Sequence, residues 1–159
     1  MDLPKRKRTR LKGYDYSLPG AYFITICTKD KKCILSKIVG DDAHIVPQNK
    51  LSRTGEICLK YIWNINNVYE NATVDKYVIM PNHIHMIITI HGTMKASSPT
   101  INTENIIRSF KTMVTKELGN SIFQRSFHDH VIRNDEDYKK IAEYIDTNVL
   151  RWESDCFYQ

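Results

Sequence analysis

No stretch of this chain approaches the roughly 18 consecutive apolar residues of a membrane span. The basic start is not followed by the apolar core of a secretion signal, because Leu11 to Gly20 is polar and turn-rich. Cysteines are few. Cys27, Cys33, Cys58 and Cys156 lie far apart with no CxxC pair, which argues against a disulfide scaffold and against structural zinc. They read as reduced thiols, mostly core filler, in a cytoplasmic protein. Charge of one sign is also missing from most of the chain. Lys and Arg number 23 against 18 Asp and Glu, a net +5. The first twenty residues hold Lys5, Arg6, Lys7, Arg8, Arg10 and Lys12 against Asp2 and Asp15, a net +4, so the other 139 residues sum to only +1. A uniformly basic, histone-like coat is therefore excluded. Wholesale disorder is excluded too, because 42% hydrophobic and 10% aromatic content is enough to build a core. The length fits one domain, and a fold of this size buries about 70% of its unfolded surface. The division that follows is a basic arm and lead-in over residues 1–20 and a single domain over 21–159.

What is present begins with strands. Ala21 to Thr28 is β-branched and aromatic and reads as a buried strand. Cys33 to Val39 and Ala43 to Val46 flank a Gly40-Asp41-Asp42 turn signal, which predicts a small hairpin. A helix is predicted from about Ser52, with Ile57, Cys58, Tyr61, Ile62 and Ile65 on one face. Thr73 to Met80 and His83 to His91 read as strands separated by Pro81 and Asn82, and Gly92 to Thr100 reads as a loop. Thr103 is placed to cap a second helix with an Ile106, Ile107, Phe110, Met113, Val114, Leu118 stripe, stopped by Gly119-Asn120. Phe127 to Arg133 is a short strand. Asn134 caps a third helix whose first turn holds Asp135, Glu136 and Asp137, and which is predicted to run to about Leu150. The order βαββαβ, with no internal repeat, predicts an α+β fold: a ferredoxin-like split βαβ sandwich, an antiparallel sheet with helices on one face.

Two local patterns carry chemistry. On the strand from His83, the even positions Ile84, Met86, Ile88 and Ile90 are all apolar, while His83 and His85 share the odd face. Two imidazoles at this spacing can converge on one metal ion. The spacing alone leaves open two surface histidines beside a turn. On the third helix Ile141, Ile145 and Val149 mark the core stripe, and Tyr144 and Asn148 share one flank at i, i+4. A tyrosine there is ordinarily a core residue with a wet hydroxyl. The Asn148 amide oxygen is a hard, neutral ligand suited to completing a two-histidine site for Mg²⁺ or Mn²⁺.

In combination these blocks resemble the REP-associated tyrosine transposases, single-tyrosine, insertion-sequence transposase-like members of the HUH endonuclease superfamily. The resemblance runs through most of the chain. It is carried by Tyr14-Asp15-Tyr16-Ser17 leading to Gly20 through Cys27, by Met80-Pro81-Asn82-His83-Ile84-His85, by Phe110-Lys111, by Gln124 through Asn134, and by Tyr144-Ile145 with Asn148. It departs in two places: Val149 follows Asn148 where the family often has proline, and Phe123 stands where it usually has tryptophan.

The resemblance implies a metal-dependent transposase or endonuclease on an HUH fold. Such an enzyme cuts and rejoins single-stranded DNA near hairpins through a 5′-phosphotyrosine intermediate. His83, His85 and Asn148 would be metal ligands, with Mg²⁺ or Mn²⁺ as cofactor, and Tyr144 the nucleophile; no residue stands out as general base. The expected partner is palindromic hairpin DNA, contacted by Lys5, Arg6, Lys7, Arg8, Arg10 and Lys12 and, less directly, by Arg108, Lys111, Lys116, Arg125 and Arg133. Tyr14, Tyr16 and Tyr22 suit base stacking or packing. A monomer is favoured over a homodimer, in a prokaryotic cytoplasm. Two alternatives use the same fold: a non-catalytic hairpin-binding protein, and a metal-dependent nuclease that uses water and has no need of Tyr144.

Overall fold

The computed structural model describes residues 11–40, 45–92 and 101–158. Its centre is a four-stranded antiparallel sheet in the order β4-β5-β1-β6, where β1 is Gly20–Cys27, β4 Ala72–Ile79, β5 His83–Ile90 and β6 His128–Ile132. Between β1 and β5 the register runs from Gly20 opposite Ile90 to Cys27 opposite His83. The β1-helix-β4 connection places β1 and β4 on either side of β5, which is the split βαβ arrangement expected from the element order. Met80 N–H donates to the His83 carbonyl at 2.8 Å and closes the β4–β5 turn over Pro81-Asn82.

Helices α1, Arg53–Val68, and α2, Thr103–Leu118, pack side by side on one face of the sheet. There they cover Tyr22, Ile24, Ile26, Ile84, Met86, Ile88 and Ile90, all essentially solvent-free. Each such side chain contributes about 2 kcal/mol of transfer free energy. Ser52 caps α1 by accepting from the Gly55 N–H at 3.1 Å. Gly55 itself lies against the preceding strand segment: a Cβ there would stand 2.1 Å from the Leu35 carbonyl oxygen. The α2 cap is Asn102, whose side chain accepts from Asn105 N–H at 2.8 Å, one residue before the predicted Thr103. Thr103 is instead buried. Gly119 ends α2 in the left-handed conformation, φ 77°.

The third helix, α3 (Asp135–Thr147), packs on the opposite face, so the expected placement of helices on one face holds for α1 and α2 but not for α3. Ala142 and Ile145 join Val78, Met80, Ile87 and Trp152 in a second, smaller core. The odd positions of β5 are therefore covered as well, and the strand is buried on both faces. Asn134 caps α3 as expected, accepting from Asp137 N–H at 2.8 Å. The helix stops earlier than the predicted Leu150: the chain tightens at Asn148 and continues as a 3-10 turn over Val149–Ser154.

The small hairpin exists but pairs differently. Strand β2, Ser36–Val39, pairs with β3, Gln48–Leu51; of the expected partner 43–46, residues 43 and 44 lie outside the described residues and Ile45 and Val46 are in no strand. Ile45 and Val46 are exposed, and the pairing instead uses Asn49, whose amide donates to the Ile79 carbonyl at 2.6 Å, and Leu51, which packs on the core. All four cysteines are free; Cys27 and Cys58 are buried as expected, whereas Cys33 and Cys156 are exposed. No helix among the described residues is long and apolar enough to cross a membrane.

Candidate active site

The site is assembled on the α3 face of β5. His83 and His85 point from the strand to the same side, with ring centroids 4.5 Å apart, and both are buried. Register supplies their partners. Thr25 lies opposite His85 in β1, and its hydroxyl meets His85 Nδ1 at 2.8 Å. His83 Nδ1 meets the Asn82 side-chain oxygen at 2.9 Å. The orientation of that amide is fixed, because Asn82 Nδ2 donates to the carbonyls of Phe157 at 2.8 Å and Lys31 at 3.2 Å. Asn82 Oδ1 is thus the acceptor, His83 carries its proton on Nδ1, and Nε2 is left as a lone pair.

From α3, Tyr144 and Asn148 reach the same place. The Tyr144 hydroxyl lies 3.3 Å from His85 Nε2 and 3.4 Å from Asp155 Oδ2. Asn148 is buried, and its Nδ2 donates to Asp155 Oδ2 at 3.1 Å, so its Oδ1 is the free end. Among the described residues neither His83 Nε2 nor Asn148 Oδ1 has a hydrogen-bond partner. All four residues selected from the sequence, His83, His85, Tyr144 and Asn148, therefore come together within one chain.

Residues absent from that selection complete the surroundings. Asp155 follows the 3-10 turn, and its carboxylate oxygen lies with a ring nitrogen from each of His83 and His85 in a group no more than 4.8 Å across. Phe157 packs on His83 with ring centroids 4.4 Å apart, and Trp152 lies 6.0 Å from the same imidazole. Phe23 stacks on His85 at 5.1 Å. Asn82 was legible only as a turn residue, and Asp155 belongs to no periodic element, so neither gave a signal of its role.

The electrostatics follow from burial. Burial pushes the His83 imidazole down to about 4, against the opposing charge of Asp155 and the nearby Asn148 amide. Burial, with His83 alongside, holds His85 well below its ordinary range. Both rings are neutral at neutral pH, the form that binds metals. Burial and the Asp155 charge raise the Tyr144 phenol. Two buried acceptors, His83 Nε2 and Asn148 Oδ1, thus lack a donor, and desolvation keeps a proton from supplying one. Acceptors in that state are stabilised by a cation. The donor set of two imidazole nitrogens and two oxygens fits a divalent ion.

Lys5, Arg6, Lys7, Arg8 and Arg10 are outside the described residues, and Lys12, Arg125 and Arg133 are exposed. Lys111 is engaged within the fold: its ammonium donates to the carbonyls of Gln124 at 2.8 Å, Ser126 at 3.2 Å and Arg125 at 3.4 Å. Burial lowers it to about 8. It forms the floor of an open groove of about 590 Å³ whose rim carries Arg108, Lys116 and Arg125. Tyr14, Tyr16 and Tyr22 pack on one another with ring centroids 5.0 to 6.4 Å apart; Tyr22 is buried in the main core, and Tyr14 and Tyr16 are partly buried against it.

No family model matches the chain. A protein of Haemophilus influenzae, described only as uncharacterised, is 34% identical over 96% of this chain and 93% of its own length. A solved REP-associated tyrosine transposase bound to a REP hairpin superposes with a TM-score of 0.59, covering 90% of this chain and 74% of that one at 20% identity. The second likeness establishes the fold, which is that of the solved transposase. The first establishes kinship: the chain belongs to one family with the Haemophilus protein.

Proposed function

Taking that kinship and that fold as the premise, we propose that the chain is a tyrosine transposase, a single-strand DNA endonuclease and strand transferase acting beside hairpins. The observation that carries this reading is the convergence of the Tyr144 hydroxyl with His85 Nε2 at 3.3 Å, beside the unpartnered His83 Nε2 and Asn148 Oδ1. A binding protein has no use for a half-buried phenol and two donorless acceptors at one point. His83, His85 and Asn148 would hold Mg²⁺ or Mn²⁺, which when bound polarises a scissile phosphate oxygen and offsets developing charge.

The chain's own residues do the rest. Tyr144 is the nucleophile: its oxygen bonds to the phosphorus, the bond to the departing 3′ oxygen breaks, and the phenol proton is released as the 3′-hydroxyl forms. The bond energy is kept in a 5′-phosphotyrosine for rejoining. A raised phenol favours the neutral resting form, so Tyr144 is reactive only once positive charge and an acceptor are at hand. Thr25 and Asn82 fix the ring orientations. Phe23, Trp152 and Phe157 wall the site and limit water. The hairpin bound by the solved transposase suggests hairpin DNA as substrate here. The arm of Lys5 to Lys12, with Arg125 and Arg133, would supply phosphate contacts.

The test is incubation with labelled single-stranded hairpin DNA and Mn²⁺. The expected result is a protein–DNA adduct that survives denaturation and is lost in Tyr144→Phe. Cleavage without an adduct would favour a nuclease that uses water. Binding without cleavage would favour a non-catalytic binder.

A further inference from the structure

We infer that Asp155 is the anionic ligand of this site, so that cation binding and docking of the chain segment around it form one coupled event. The inference rests on the reading of His83 and His85 as a divalent-cation site. His83 Nε2, His85 Nε2 and Asn148 Oδ1 are all neutral donors. Three neutral donors leave both charges of a dication uncompensated in a buried place, which is costly. Among the described residues one carboxylate reaches the group: a ligand oxygen of Asp155 lies with the two histidine nitrogens inside 4.8 Å. Carboxylate count is also what tunes affinity for hard divalent ions.

The local bonds show a carboxylate that is held but not saturated. Asp155 Oδ1 accepts from Phe157 N–H at 2.8 Å, which fixes the turn. Oδ2 accepts from Asn148 Nδ2 at 3.1 Å, and through that bond it turns Asn148 Oδ1 away from itself. Its contact from the Tyr144 hydroxyl, at 3.4 Å, is long for an O–H donor, and the Cys156 thiol adds only a weak donor. Asp155 does not belong to the tyrosine helix. It arrives after the 3-10 turn, on a segment anchored by Asn82 Nδ2 to the Phe157 carbonyl at 2.8 Å and by the Phe157 ring on His83. A ligand carried on that segment links the two equilibria. Cation binding stabilises the docked segment, and undocking weakens the cation by the same factor.

The experiment titrates Mn²⁺ into the full chain without DNA, reading free Mn²⁺ by electron paramagnetic resonance and the amides of residues 149–158 by hydrogen exchange. Asp155→Asn, which keeps an acceptor and removes the charge, is expected to weaken Mn²⁺ on the order of tenfold or more. Asp155→Glu, which keeps the charge, is expected to recover part of that loss, as a mere folding defect would not. Mn²⁺ should slow exchange across 149–158 in the wild type and not in Asp155→Asn. Affinity within twofold of wild type in Asp155→Asn, or no protection in the wild type, would overturn the inference. The His83→Ala/His85→Ala double variant separates the two readings. If it binds Mn²⁺ like the wild type, the histidine site itself is wrong; if it loses Mn²⁺ while Asp155→Asn does not, only the role of Asp155 falls.

Discussion

Lowering the pH should unfold this protein through its histidines before its carboxylates. The perturbation is acidification from pH 7.5 to 5 in the presence of a chelator. The unfolded chain takes up a proton on His83 near the ordinary value of about 6.5. Burial holds the folded imidazole at about 4. The folded value is depressed below the unfolded one, so the unfolded state binds more protons throughout the interval between them. Stability is fully present above about pH 6.5 and drains away as pH falls toward 4. The interval of about 2.5 units corresponds to about 3 kcal/mol in all, and about 2 kcal/mol of it is gone by pH 5. His85, depressed by burial and by His83, adds a loss of the same sign. Carboxylates act lower: Asp137 and Glu117, held down by hydrogen bonds from His130 and from Lys60 and Tyr61, lose their contribution only as pH falls through the carboxylate range. Urea denaturation at a series of pH values measures the slope directly, and His83→Gln should remove about one proton's worth of it. Equal stability at pH 7.5 and 5, or an undiminished slope in His83→Gln, would refute the assignment of the buried neutral ring.

Three other outcomes follow from packing and from charge. Gly55→Ala should cost about 3 kcal/mol or more in a urea melt, because its Cβ would stand 2.1 Å from the backbone oxygen of Leu35, which cannot move without the strand. For DNA, removing residues 1–12 should flatten the salt dependence of binding, since up to six phosphate contacts would go. Lys111→Met should instead lower the melting temperature with little change in that slope, because its ammonium is bonded to the Gln124, Arg125 and Ser126 carbonyls. A salt slope that drops by a full contact in Lys111→Met would return that lysine to the DNA surface.

Local rules made part of this legible. Period-two alternation from His83 separated the histidine face from the apolar one, and helical spacing put Tyr144 and Asn148 on one flank. Cap chemistry placed Asn134 correctly, and apolar spacing placed the start of α1 near Ser52. What escaped was set by pairing across the chain. Thr25 supports His85 only because the β1–β5 register puts them opposite, and no window of sequence holds both. β3 escaped for a similar reason. Gln48–Leu51 is mostly polar and pairs with β2 through its backbone, with the Asn49 amide on the Ile79 carbonyl, whereas the more apolar Ile45 and Val46 stay exposed. Asp155 sits beyond a 3-10 turn, where no periodicity points inward.

The proposed division of labour explains a contrast in how the site is held. The two imidazoles are fixed twice over, by a strand buried on both faces and by short bonds of 2.8 and 2.9 Å to Thr25 and Asn82. Tyr144 is half-buried on a helix docked through a small core, and its hydroxyl makes only contacts of 3.3 and 3.4 Å. Metal ligands gain from such rigidity, since a fixed geometry lowers the cost of binding. A nucleophile that must carry a covalently joined DNA end and then accept attack upon it gains from the opposite. Tightening the Tyr144 contacts would hold the phenol in its protonated, bonded state, which the raised phenol already favours. On this reasoning the loose tyrosine and the rigid histidines serve one reaction, and a substitution that locks α3 to β4 should slow rejoining more than it slows cation binding.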